Sequence, residues 1–378
     1  MRAHPRTGGA PAPARPGWIA PAIALGAALA LMMMAGGSRG ASPAVSASPA
    51  SPASPAMRAS RGPTTAPRDG PGDPAACAGC HPAEHDEWSR SRHAAAWVDP
   101  VFQAEFAHGR PAWCVGCHAP AAPDPLAVGD REPRAARGVG CDGCHLRGGR
   151  MVSARAAPGS PHDTAVDAGF GSPDFCAGCH EFRFPVLGPR GVLRRYTDEP
   201  MQETVSQWRR SGVAGGLACA DCHTATPAGH GFPGSHQPDM VAAALELSVC
   251  RERGRIEARV TNRGAGHHIP SGGVHRRMVL RAWRSSAPER LVEAVFGRRF
   301  RPLRGGGKQT TADTTIAPGR SGRLRVRPAA LGGASTDPIQ LELRYIYALD
   351  ERAAAPADDV SRVVLRRAVA PAALSRCR

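Results

Sequence analysis

Apolar and polar residues are spread unevenly along the chain, and the pattern divides it. Trp18 to Ala35 is an apolar run, preceded by Arg2, Arg6 and Arg15 with no acid. Basic flank, apolar stretch and the small residues Ala35-Gly36-Gly37 read as an export signal. The run is also just long enough to span a bilayer. Residues 1–37 are therefore expected to be a signal peptide or an N-terminal anchor. Residues 38–74 include the segment ASPAVSASPASPASPA and read as an Ala/Ser/Pro-rich linker without a core. Over 75–240 no period persists; Gly/Pro loops are interrupted by short helices near Trp88 and Trp208. From Val241 the pattern changes to short alternating runs: Leu245–Cys250, Arg255–Thr261, Met278–Trp283, Leu291–Phe296, Leu324–Arg327, Ile339–Tyr347 and Val360–Leu365. Ile256-Glu257-Ala258-Arg259-Val260 alternates with period two, as a half-buried strand does. Such strands, divided by turns, predict an all-β sandwich-like domain over 241–378.

Composition changes this picture in two ways. Aromatic residues make up only 5% of 378, few for a chain that must bury two cores. Something else is expected to fill one of them. The net charge of +16 raises nucleic-acid binding, yet Lys308 is the only lysine and the arginines are scattered. With no dense basic run and no recognition motif, nucleic acid is not expected as a partner.

The cysteines carry the chemistry. Ten of the twelve lie in five CxxCH units: Cys77–Cys80–His81, Cys114–Cys117–His118, Cys141–Cys144–His145, Cys176–Cys179–His180 and Cys219–Cys222–His223. Chance would supply roughly 0.015 such units at this composition. Two thiols separated by two residues on a helical turn can reach both vinyl groups at one edge of a porphyrin, and the following histidine then faces the iron. Zinc ribbons and disulfides are the competing readings, but neither requires a histidine after every pair. The expectation is five covalently attached haem c groups, with His81, His118, His145, His180 and His223 as proximal iron ligands. About 33 residues per motif are too few for an ordinary core around each cofactor, so the haems would themselves be that core. The fold class is thus a mostly irregular, short-helix multihaem domain over 75–240, followed by the β domain.

The segments CAGCHPAEHDEWSRSRHAAA (77–96), WCVGCHAP (113–120) with GVGCDGCH (138–145), FCAGCHEF (175–182), QETVSQWRRSGVAGGLACADCH (202–223) and HGFPGSHQPDM (230–240) resemble multihaem c-type cytochromes of the cytochrome c-552/4 type. These are relatives of the ammonia-oxidiser tetrahaem cytochrome and of hydroxylamine oxidoreductase. The resemblance covers about 77 to 280. It implies His93 as a distal ligand, with His230, His236 and His162 as further candidates; His85 is expected to face a propionate or solvent. NRGAGHHIPSGG (262–273) resembles the loop that follows the haem segments in these proteins, with Ser271 in place of the usual Thr. It implies that His267 or His268 reaches back to an iron; an ordinary Gly/Pro turn is the alternative.

Cys250 and Cys377 remain. In an exported chain they are expected to form a disulfide, two unpaired thiols being the alternative. The functional expectation is an exported, periplasmic electron carrier whose haems have mainly two histidine ligands, serving an acidic redox partner. Membrane association would come only through the N-terminal anchor. The rival is a redox enzyme with one open iron, acting on nitrite, hydroxylamine or nitric oxide; no motif has lysine in place of histidine, and only Tyr196, Tyr345 and Tyr347 are present. No catalytic residue is assigned.

Overall fold

In a computed structural model the described residues are 73–122, 124–126, 135–348 and 360–377. The signal-or-anchor segment and almost all of the linker lie outside them. Among the described residues no helix is long and apolar enough to cross a membrane. The described residues belong to one compact unit, Pro55–Arg378.

The first part consists of short helices: α1 (Pro74–Ala78), α2 (Pro82–Ser89), α3 (Pro100–Phe106), α4 (Ala112–His118), α5 (Cys141–His145), α6 (Pro173–His180), α7 (Thr204–Arg209), α8 (Cys219–His223) and α9 (Pro238–Ala244). Their starts are written locally. Asp73, Asp99 and Ser172 accept the backbone N–H groups of Ala75, Phe102 and Phe175, and proline opens α1, α3 and α6. Four of the five CxxCH units end a helix, α4, α5, α6 and α8; in the first, His81 stands at the N-cap of α2. Among the described residues a small apolar cluster forms here, Trp97, Phe106, Val115, Ala119 and Ala122, with Phe102 packed against it.

This part also contains strands that its sequence pattern does not announce. β1 (Leu146–Arg147), β2 (Arg150–Ser153) and β3 (Thr164–Val166) form a small sheet after α5, and β4 (Glu181–Leu187) pairs antiparallel with β5 (Leu193–Glu203) directly after α6.

The remaining strands are β6 (Leu245–Glu252), β7 (Arg255–Asn262), β8 (Arg277–Arg284), β9 (Ala287–Pro302), β10 (Lys308–Asp313), β11 (Ser321–Val326), β12 (Ile339–Ile346) and β13 (Ser361–Val369). They form two antiparallel sheets, in the orders β10-β9-β8-β12-β13 and β11-β7-β6. Both sheets contribute to one core: Ile256, Ala258 and Val260 of β7 and Leu324 of β11 join Met278 and Leu280 of β8 and Leu341 and Leu343 of β12. β10, with the sequence KQTTAD, is the strand missing from the expected set. It is an edge strand of β9, so no apolar alternation marks it. Cys250 and Cys377 are joined as a disulfide, their Cα atoms 4.9 Å apart, and Arg251 pairs with Arg376 beside it. The chain end is thereby fastened to β6.

Candidate haem-binding site

The ten motif cysteines are all free thiols. Among the described residues the grouping of three metal-capable donors is Cys250, Glu257 and Cys377, whose sulfurs are already bonded to each other. The motif thiols are thus not assembled as four-donor zinc sites, and they stand ready for attachment chemistry.

Three of the five motif histidines are held in one tautomer. Nδ1 of His118 lies 2.8 Å from the carbonyl oxygen of Ala96, that of His145 2.9 Å from Val152, and that of His223 2.6 Å from Pro233. A carbonyl only accepts, so each Nδ1 carries the proton and donates. Nε2 keeps its lone pair, the arrangement a metal-binding imidazole uses. Nδ1 of His230 and of His267 is treated alike, 2.7 Å from Ala228 O and 2.8 Å from His268 O. Burial lowers the pKa of His93, His118, His145 and His267, and it takes His180 down to about 4 with help from the neighbouring His93, His223, His118 and His267. These rings stay neutral, as ligands must.

Four motif histidines have a second imidazole opposite them. His81 faces His162 with ring centroids 6.5 Å apart, His145 faces His230 at 6.1 Å, His223 faces His267 at 6.3 Å, and His180 faces His93 at 6.2 Å. Two metal–nitrogen bonds of about 2.0 Å, with about 1 Å from each nitrogen to its ring centre, separate two axial ligands by about 6 Å. The spacing fits an iron between each pair, and the free thiols beside it fit the porphyrin edge.

The family model for cytochrome c554 and c-prime matches residues 76–146. Among solved structures, a penta-haem cytochrome c552 from Thermochromatium tepidum is similar over 78% of this chain and 97% of its own, with 20% identity and a TM-score of 0.59. No curated protein matches the chain. Residues 76–146 are thus similar to a c-type cytochrome family, and the fold of most of the chain is similar to that of a penta-haem cytochrome. The cofactor of this chain is covalently bound haem c, which the free thiols and neutral histidines suit.

In this chain the second motif stands apart. The His118 ring lies flat against Phe102, centroids 3.7 Å apart and planes 7° apart. Among the described residues no imidazole pairs with it as in the other four. Asp99 caps α3 and so sets the position of Phe102 against the His118 ring.

The motifs also lie close to one another. The thiols of Cys77 and Cys141 lie within electrostatic reach of each other, as do those of Cys117 and Cys179 and those of Cys176 and Cys219. The first motif therefore adjoins the third, and the fourth adjoins both the second and the fifth. His180 lies at this junction, within electrostatic reach of His118 and His223.

The other candidate histidines are placed elsewhere. His236 stacks on Tyr347 with centroids 4.0 Å apart rather than opposite a motif histidine. His268 turns its Nδ1 to the Thr315 hydroxyl at 2.9 Å. His85 packs beside Trp88, centroids 5.5 Å apart. The adjacent pairs 230/236 and 267/268 thus split, one member of each facing a motif histidine and the other turning away.

Three supporting residues follow, of which Glu87 carries no signal in the sequence while Asn262 and Ser271 lie in the 262–273 loop. Glu87 on α2 accepts from the N–H groups of Ala228 and His230 and from the Thr226 hydroxyl, at 2.9, 2.9 and 2.7 Å. These bonds hold its carboxyl down to about 2 and fix the backbone that carries His230. Asn262, fully buried, donates to His267 O at 2.9 Å and Ile316 O at 3.1 Å and accepts from Ala265 N at 3.1 Å. Ser271 donates to Gln207 of α7 at 3.1 Å and meets Thr204 at 2.7 Å. The loop after β7 is thereby locked to the haem-motif part. Periodicity misses Glu87 because it acts on a segment far away in sequence.

Proposed function

We propose that this chain is an exported electron carrier holding five haem c groups, four of them between two histidines. The observation that carries the proposal is the set of four imidazole pairs at 6.1–6.5 Å, each with one member in a CxxCH motif. Cys77 and Cys80, Cys114 and Cys117, Cys141 and Cys144, Cys176 and Cys179, and Cys219 and Cys222 form the thioethers. His81, His118, His145, His180 and His223 are the proximal ligands; His162, His230, His93 and His267 are distal to the first, third, fourth and fifth. Haem c, when bound, supplies one-electron chemistry at its iron. The chain brings the sites together and orients the imidazoles of His118, His145, His223, His230 and His267 through their Nδ1–H groups. Its motifs are grouped: the first lies beside the third, and the fourth lies beside both the second and the fifth.

Residues 1–37 direct the chain out of the cytoplasm, where haem attachment and the Cys250–Cys377 disulfide are both at home. Residues 75–240 form the haem domain, and the two sheets of 241–378 a β-sandwich that carries His267 back to it. The basic charge favours an acidic redox partner.

A second reading is favoured at one place. Among the described residues no imidazole opposes His118, so the second haem would offer a sixth position to a small molecule, and the protein would then act as a redox enzyme fed by the other four sites. Coulometric reduction of the pure protein tests the carrier reading: five electrons per chain, reversibly returned, are expected. Fewer than five would refute it. Cyanide titration tests the second reading; it should perturb one fifth of the Soret band and leave the rest.

A further inference from the structure

The β4–β5 ribbon ends in a basic, partly apolar tip. Residues 182–196 contain Arg183, Arg190, Arg194 and Arg195 and no acid. Arg190, Arg194 and Arg195 are exposed, and among the described residues no ion pair engages them. Interspersed with them are Leu187, Val192 and Tyr196, 36%, 43% and 39% exposed. Water-facing apolar side chains mixed with arginine and tyrosine, with lysine, aspartate and glutamate absent, have the composition of a protein–protein contact.

The ribbon is fixed at both ends. At its base Glu181 accepts from the N–H groups of Val205 and Ser206 at 3.0 and 3.1 Å. The buried Phe184 packs edge-on against Phe300 of β9, centroids 5.3 Å apart, and Glu199 accepts from Thr310 N at 3.3 Å. At the far end the turn Pro189–Gly191 packs on the start of α4. Gly191 has a φ of +68°, and a Cβ there would lie 2.1 Å from Pro111 Cα. Trp113 of α4 donates to the Tyr196 hydroxyl at 3.0 Å. A surface already held in place loses little freedom when a partner binds it. Glu181 is the residue after His180, and Trp113 is the residue before Cys114. The tip therefore lies against the second motif and is continuous with the fourth.

We infer that this tip is the docking site of an acidic redox protein, which exchanges electrons with the chain at the second motif. The inference rests on the carrier reading of "Proposed function". Charge complementarity selects the occupant: a second copy of this chain, at +16, would repel its like, and a lipid surface neither gives nor takes an electron. In the direction tested below, one electron leaves the reduced partner and reduces the iron of the second motif; no bond is made or broken.

The test uses plant-type ferredoxin, an acidic one-electron protein, as the probe, and holoprotein whose haem content is recorded first. Stopped flow gives the second-order rate of haem reduction by reduced ferredoxin, and calorimetry gives binding of the oxidised pair. Measurements at about 0.1 M salt confine charge effects to about 10 Å. There Arg194→Glu with Arg195→Glu should slow reduction about tenfold and flatten its salt dependence. Arg194→Lys with Arg195→Lys should keep most of the rate, and Val192→Ser should weaken binding at every salt concentration. Arg320→Glu with Arg327→Glu, at exposed residues flanking β11, makes the same charge change elsewhere and should leave the rate within about twofold. Should the Glu pair lose haem, Arg190→Glu is read in its place. Tip-dependent binding without electron transfer would keep the docking site and refute the carrier reading. Transfer at an unchanged rate in the tip variants would keep the carrier reading and overturn the docking site. Wild type that neither binds nor is reduced, tip and control variants slowed alike, or tip-dependent binding to phosphatidylglycerol vesicles with an unchanged ferredoxin rate would each overturn it too.

Discussion

A proximal histidine is fixed by the two cysteines before it, since attachment chemistry dictates the spacing; its partner is not, since it comes from another segment. That is why all five CxxCH units are legible in the sequence, while the choice between His230 and His236, or between His267 and His268, is not. The fold separates the first two: the chain has a positive φ of 43° at Phe232, His236 stacks on Tyr347 and His230 faces His145. The same scale governs the β part. Glu257 is 1% exposed and contacts the guanidiniums of Arg259, Arg325 and Arg323. Burial pushes its carboxyl up, but hydrogen bonds from Arg259 and Arg325 outweigh burial and leave it below the ordinary carboxylate value. Glu257→Gln should cost about 1–2 kcal/mol at neutral pH, the half-exposed arginines being free to rehydrate. A depressed folded-state pKa gives stability that is present above the unfolded value and is lost as pH falls through the folded one. The gap between wild type and variant in urea midpoint should therefore close as pH drops below about 4.5; a gap that widens in acid would contradict the assignment.

At the scale of elements, close backbone approach does what helix length cannot. Gly138 has a φ of +60°, and a Cβ there would lie 2.4 Å from Ala94 O and 2.5 Å from His93 O. It lets the segment before the third motif pack on the backbone of His93, where Val139 N donates to His93 O at 2.9 Å and Trp88 Nε1 donates to Val139 O at 2.9 Å. Gly138→Ala must push that contact apart. The expected result is loss of one low-spin haem signal, that of the fourth site, with haem content retained, because the thioethers do not depend on His93. An unchanged spectrum would show that the contact does not hold the ligand. Seven strands of 241–378 are legible because they alternate over one shared core. β10 is not, being a polar edge. The β4–β5 ribbon is not either, because burial along its eleven-residue second strand is only partial, without the alternation that marks a core-facing face.

Across the whole molecule, the scarcity of aromatic residues is matched by the location of the apolar core. Among the described residues the large buried cluster belongs to the two sheets, and the haem-motif part has the small Trp97–Phe106 cluster. The remainder of that interior is given over to the motif helices and the imidazoles between them. The net charge of +16 is partly engaged within the fold, around Glu257 and around Glu342, which pairs with Arg344 and Arg366. Four paired sites and one unpaired site make a specific spectroscopic expectation. Quantitative electron paramagnetic resonance of the oxidised holoprotein, normalised to haem content, tests the pairing most directly. Four low-spin haems and one high-spin haem per chain are expected; fewer than four low-spin haems would contradict the account.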